Sequence, residues 1–243
     1  MRRGFPLSGL VVVLIAGWCL VALSAPVASA RSTVVANWQL NDAAHSTVMR
    51  DSSGNGLNGK VASNAASVGL TLNGSYFHWS TRCPACLPVQ DGRVVQVPDD
   101  DLLDIPDPDV TYTLEFRFRT THPYGNYMQK GQSATRGGQI KVQGPKGSVQ
   151  CLFKGADGTR VGTGSGKVNG LDDGDWHVVK CVHTATQVVE YVDGVKVATH
   201  RGSTGPINNS KPFLVGGKLN CDQDEVTCDY FSGDIDWIKV TRG

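Results

Sequence analysis

Asp234 and Asp236 are separated by one residue, which puts two carboxylates on the same face of an extended strand. Paired carboxylates flanking a scissile bond are what glycoside hydrolysis requires. Asp236 also shares parity with Ile238 and Val240, so it is expected to point the same way as apolar neighbours. Asp42 continues the parity of Val34, Ala36, Trp38 and Leu40, the apolar face of a first strand. A carboxylate facing inward must be paired, hydrogen-bonded or metal-bound, because an isolated buried charge is very costly. Elsewhere Glu115 stands alone among arginines, and Asp99, Asp100, Asp101 and Asp104 form a loop cluster expected to be solvated.

The other reactive residue types offer less. None of the six histidines falls in an H-E-x-x-H pair, so the common zinc-hydrolase helix is missing. There is no G-x-S-x-G nucleophile elbow. Gly162-Thr-Gly-Ser-Gly-Lys167 is followed by Val168 instead of Ser or Thr and by no helical pattern, so it reads as a turn and not as a phosphate loop. Aromatic residues near turns suit a different task. Rings can cover the apolar C–H faces of sugars while amides bond the hydroxyls. Trp79, Tyr124, Asn126 and Tyr127 are the candidates for carbohydrate contact.

The elements that must position these groups are strands. No window after residue 30 sustains a 3.6-residue period. Tyr112, Leu114, Phe116 and Phe118 alternate with Thr113, Glu115, Arg117 and Arg119, the pattern of a half-buried strand. Trp176–Thr184 is strand-like, Gln187–Val192 is a second strand, and Asp193-Gly194 supplies the two positive-φ residues of a type I′ turn from which Val195–Thr199 leads away. Roughly a dozen short strands separated by glycine-rich turns predict an all-β sandwich of two antiparallel sheets.

Residues 1–30 stand apart. Arg2 and Arg3, an apolar run from Leu10 to Ala25 and Ala28-Ser29-Ala30 predict a cleaved export signal, leaving one domain over 31–243. That domain carries 21 basic and 22 acidic side chains. Nucleic acid is therefore not an expected partner, since phosphate binding leaves a basic footprint. Six cysteines remain in it, an even number that argues for disulfides in an exported chain. Of the fifteen possible connectivities, the favoured one is Cys83–Cys86, Cys151–Cys181 and Cys221–Cys228. Cys151 and Cys181 lie in strand-like segments that could adjoin within one sheet, and the other two pairs close short loops.

Three motifs carry a family resemblance. Trp38-Gln-Leu-Asn-Asp42 with Asp51-Ser-Ser-Gly-Asn55 opens the domain. Gly174, Trp176, His177 and Val179 precede Tyr191-Val-Asp-Gly194 at its centre, and Phe231-Ser-Gly-Asp-Ile-Asp236 closes it. In this order they resemble the laminin G-like domains of the concanavalin A-like lectin superfamily, and MQKGQ at 128–132 with VQCLFKG at 149–155 resembles secreted actinomycete members. The resemblance implies a jelly-roll β-sandwich, more often a binding module than an enzyme. It implies that the first and last strands are neighbours, which would let Asn41, Asp42, Asp51, Asn55, Asn58 and Asp236 offer oxygens to a structural Ca²⁺. Relatives that cleave β-glucans carry E-x-D-x-x-E on a central strand, whereas here Lys239 stands at the third acid. The expectation is a secreted, monomeric, non-catalytic module that binds extracellular carbohydrate. A divergent glycoside hydrolase or lyase, and a surface protein-interaction domain, are the alternatives.

Overall fold

The alternation written into the sequence closes into two stacked antiparallel sheets. The computed structural model describes residues 32–80, 91–164, 168–219 and 230–243, besides Met1. Its strands are β1 (Thr33–Trp38), β2 (Val48–Met49), β3 (Gly59–Lys60), β4 (Leu70–Leu72), β5 (Phe77–Trp79), β6 (Val95–Val97), β7 (Tyr112–Arg119), β8 (Gly125–Lys130), β9 (Gln139–Gly144), β10 (Gln150–Lys154), β11 (Arg160–Gly162), β12 (His177–Thr184), β13 (Gln187–Val192), β14 (Val195–Arg201), β15 (Phe213–Val215) and β16 (Gly233–Arg242). The first sheet runs β14-β13-β12-β7-β16-β5-β4, with β1 also paired to β16. The second runs β11-β10-β9-β8-β15-β6-β3-β2. Among the described residues no helix is long and apolar enough to cross a membrane. The chain divides into Met1–Ala30 and Arg31–Gly243. The expected export signal, and the expected pairs Cys83–Cys86 and Cys221–Cys228, lie outside the described residues.

The core sits between the sheets and is held by aromatic side chains. Phe116 and Phe118 of β7 meet Tyr127 of β8 with ring centroids 5.4 and 4.8 Å apart, and Tyr127 meets Phe231 at 4.9 Å. Trp38 is fully buried, stacks on Phe213 and donates its indole N–H to the Leu57 carbonyl at 2.7 Å. Buried indoles need such a partner. The turn between β13 and β14 has φ of 50° at Asp193 and 79° at Gly194, as the sequence predicts. Asp193 does more than turn the chain: its carboxylate accepts the Val178 N–H at 2.8 Å and faces His177 Nδ1 at 2.9 Å.

Three expectations need correction. Cys151 and Cys181 are bonded, but Cys151 is on β10 of the second sheet and Cys181 on β12 of the first. The bridge therefore crosses the core and ties the two layers together. Bulges change two facings, because an extra residue reverses the side-chain parity beyond it. One between Val34 and Ala36 leaves Val34 exposed and turns Val35 inward. Another between Ile235 and Trp237 lets Ile235 and Ile238 both face the core and leaves Asp236 on the outer face.

Candidate functional site

The outer face of the first sheet carries a continuous polar and aromatic ladder. Arg117 and Arg119 project from β7, Asp234 and Asp236 from β16, and His78 from β5. Arg117 binds Asp236 at 2.6 Å, Arg119 binds Asp234 at 2.6 Å, and His78 Nδ1 lies 2.5 Å from the other Asp234 oxygen. Trp176 is stacked by both guanidiniums, at 4.6 Å from Arg117 and 4.7 Å from Arg119. Burial pushes the Asp234 carboxyl up, but its hydrogen bonds from His78 and Arg119 outweigh that and hold it below the ordinary carboxylate range. A general acid needs the opposite shift. Both members of the sequence-predicted carboxylate pair are thus bound by arginines, and Asp234 is held ionised. Arg117 and Asp236 remain partly solvated, so a double-mutant cycle on this pair, read by urea denaturation, should give a coupling below about 1 kcal/mol.

The expected calcium ligands are brought only partly together. β1 and β16 do pair, and Asp51, Asn55 and Asn58 share one turn beside β1. The oxygens of Asp51 and Asn58 and the amide nitrogen of Asn55 are already engaged. Burial raises the Asp51 carboxyl, yet N–H groups of Asn37, Ser53 and Leu57 outweigh it and hold the group low. Asn58 accepts the Asp51 N–H at 2.8 Å, Asp42 accepts the Arg50 N–H at 3.2 Å, and Asn55 donates to the Val35 carbonyl at 2.8 Å. Asp236 is on the outer face with Arg117, and Asn41 is exposed. The Asp51 carboxylate thus already faces N–H and O–H donors, and Asp236, one of the six expected ligands, is bound to an arginine instead. Among the described residues no group of three or more His, Cys, Asp or Glu could hold a metal.

Three of the four expected sugar contacts are interior. Trp79 is fully buried in β5 and donates to the Arg93 carbonyl at 2.8 Å. Asn126 is fully buried, and Tyr127 is part of the aromatic core. They cannot touch a ligand at the surface. Phe77–Trp79 forms a strand, which a reading of 76–79 as loop aromatics misses. Only Tyr124, 54% exposed, is available.

The outer face of the second sheet holds a cleft that the sequence did not announce. Met128, Phe213 and Val215 point into the core, so Gln129 and Leu214, opposite each other on β8 and β15, point away from it. Leu214 joins Val94 and Tyr230 in a separate apolar cluster against which Leu219 packs. Beside it lies a cavity of about 370 Å³, floored by Gln129 and Leu214 and walled by Gln132, Thr135, Lys211 and Leu219.

The walls are rigid for local reasons. In the 131–138 turn, the Gln132 N–H bonds Thr135 Oγ1 at 2.8 Å and the Thr135 N–H returns to the Gln132 carbonyl at 2.9 Å. Gly137 and Gly138 have φ of 89° and 98°, and a Cβ on either would strike a carbonyl oxygen, at 1.9 and 2.2 Å. The facing 208–212 segment is fastened to this turn by Asn208 N–H to Gly137 O at 2.8 Å and by the Asn209 amide to Gly138 O at 3.2 Å. Beneath both, Lys130 is fully buried, with its ammonium 2.7 Å from Asp99, 2.7 Å from Asp104 and bonded to the Asn209 carbonyl. The acidic loop is therefore not simply solvated, as expected: Asp104 is buried and Asp100 caps a short turn through the Leu102 N–H.

Comparison with known proteins bears on this architecture. A family model, Laminin_G_3, described as concanavalin A-like lectin/glucanases superfamily, matches residues 90–242. No curated protein matches the sequence. Among solved structures, the binding domain of Paraclostridial Mosquitocidal Protein 1 superposes with a TM-score of 0.56 at 14% identity, over 86% of this chain and 48% of that one. The binding domain of botulinum neurotoxin serotype G gives 0.57 at 12% identity, over 87% and 47%. Domain 4 of AbnA, an extracellular arabinanase of Geobacillus stearothermophilus solved with arabinotriose, gives 0.55 at 14% identity, over 87% and 93%. The chain thus spans about half the length of the two toxin domains it matches. These likenesses carry the fold.

Proposed function

The chain belongs to the Laminin_G_3 family of the concanavalin A-like lectin/glucanases superfamily and has its jelly-roll β-sandwich fold, and we propose that it is an exported, non-catalytic module that binds extracellular carbohydrate in the cleft beside β8 and β15. The observation that carries this is the make-up of the cleft. Leu219, with Leu214 behind it, offers apolar surface to a sugar ring, and Gln132 and Thr135 offer amide and hydroxyl groups to its hydroxyls. Its volume falls within the roughly 300–1,000 Å³ of small-ligand sites. Walls fastened before the ligand arrives spare binding the cost of ordering them.

Binding without turnover is supported by the carboxylates. Asp234 and Asp236 are ion-paired, and Glu190, whose pKa is raised, is only 1% exposed and out of reach of a polymer. Export is supported by the N-terminal run and by a disulfide joining the sheets. Affinity electrophoresis over a polysaccharide panel tests the assignment. The protein should be retarded by at least one glycan without releasing reducing ends. Gln132→Trp, which fills the cleft, should lose about tenfold or more in affinity, and Trp176→Ala should not. Loss with Trp176→Ala alone would move the site to the first sheet, and sustained release of reducing ends would make the protein an enzyme.

A further inference from the structure

Lys211 is exposed at the rim of the cleft, and exposed Arg136 lines a second cleft that shares Gln132, Thr135 and Lys211 with it. Neither cationic group makes an ion pair or a hydrogen bond among the described residues. Among the described residues no Asp or Glu lines either cleft. This contrasts with the opposite face of the sandwich, where Arg117, Arg119 and Lys239 each have a carboxylate, and with the interior, where Lys130 has two. In a domain of 21 basic and 22 acidic side chains, the described lining of the clefts is a local excess of positive charge.

The two cations are also held near each other by backbone. Arg136 precedes Gly137, whose carbonyl accepts the Asn208 N–H at 2.8 Å, and the Lys211 N–H bonds the Asn209 side chain at 3.0 Å. Lys130 anchors the Asn209 carbonyl from below. An arginine fork and an ammonium on two fastened segments, with amides and an apolar floor between them, match a sugar that bears a carboxylate. The guanidinium can bind that group through two parallel N–H bonds. We infer that the cleft is selective for acidic polysaccharide, with the uronate carboxylates held by Arg136 and Lys211. This rests on the cleft being the glycan site.

The experiment compares polygalacturonate with the same polymer after chemical reduction of its carboxyl groups to alcohols, and with arabinan and dextran sulfate, by affinity electrophoresis and calorimetry. Wild-type protein should bind polygalacturonate about tenfold or more tightly than its reduced form. That preference should shrink between roughly 0.05 and roughly 0.5 M salt as screening shortens the reach of the charges. The double variant Arg136→Gln/Lys211→Gln should lose the preference, binding native and reduced polymer with similar affinity, with an unchanged melting temperature. Equal wild-type affinity for native and reduced polymers would overturn selectivity and leave the glycan site standing. Binding of dextran sulfate without polygalacturonate would overturn the carboxylate as the group recognised. No binding to any of the polymers would overturn the glycan site itself, and selectivity with it.

Discussion

Replacing Lys130 by methionine should cost about 3–5 kcal/mol of stability, the usual cost of removing one partner from a buried ion pair. Methionine fills much of the same volume and cannot meet the carboxylate of Asp104, which is 2% exposed. Burial already raises the Asp104 carboxyl, and the bond and charge of Lys130 offset part of that rise. Without the ammonium the raised value should climb further, so the deficit of Lys130→Met should narrow as pH falls and Asp104 takes up a proton. Lys130→Met/Asp104→Asn should recover part of the loss, because an amide is far cheaper to bury than an unpaired charge. Urea denaturation of the single and double variants at neutral and acidic pH checks all three statements. A single variant as stable as wild type would mean that the ammonium contributes nothing net. The same substitution releases the Asn209 carbonyl, so glycan affinity should fall in the fraction that stays folded.

Lys130 also marks where the sequence stopped being legible. Strands with regular alternation were readable: β7 with aromatics inside and charges outside, and β12 and β13, the latter followed by the Asp193-Gly194 turn into β14. Each residue there keeps the parity of its neighbours, and two-fold periodicity is all that sequence inspection detects. Bulges break that parity without a compositional signal. That is why Val34 and Asp236 were assigned to the wrong face. In β8 the bulge at Asn126–Met128 makes Tyr127 and Met128 both interior and sends Lys130 into the core. A lysine two residues past a methionine gives no hint of burial until Asp99 and Asp104, about thirty residues earlier, are known to lie against it. Trp79, Asn126 and Tyr127 misled for a related reason. Aromatics beside turns look like rim residues, and only the pairing of β5 with β16 shows that Phe77 and Trp79 complete the sheet. The cleft was invisible because its floor, Gln129 and Leu214, is assembled by β8 and β15, more than eighty residues apart in the chain.

The second large effect lies in the interior, where stability should respond to pH through two groups that work against each other. Glu190 on β13 is 1% exposed, sits opposite Cys181 of the intersheet disulfide, and accepts a hydrogen bond from Thr163. His183 on β12 is also 1% exposed; it sits opposite Tyr112, stacks near Phe153 at 4.9 Å and uses Nε2 on Thr204 at 2.9 Å. One oxygen of Glu190, Nδ1 of His183 and the Tyr112 hydroxyl have no partner. Burial raises Glu190 from 4.5 to about 7 and lowers His183 from 6.5 to about 4, so both are neutral in the fold between those values.

The signs oppose. Stability associated with Glu190 is complete below its ordinary 4.5 and is lost as pH rises through about 7. Stability associated with His183 is complete above its ordinary 6.5 and is lost as pH falls through about 4. Each span corresponds to roughly 3 kcal/mol. Because the two losses cover the same interval in opposite directions, these groups should leave the wild-type pH profile level to within about 1 kcal/mol across it. Glu190→Gln should expose the histidine alone, giving stability that climbs by roughly 3 kcal/mol as pH goes from about 4 to about 7. His183→Asn should give the mirror image, a fall of similar size over the same interval. Denaturant melts at several pH values read the slopes directly. Level profiles in both variants would show that water reaches these groups and that neither is held neutral by burial.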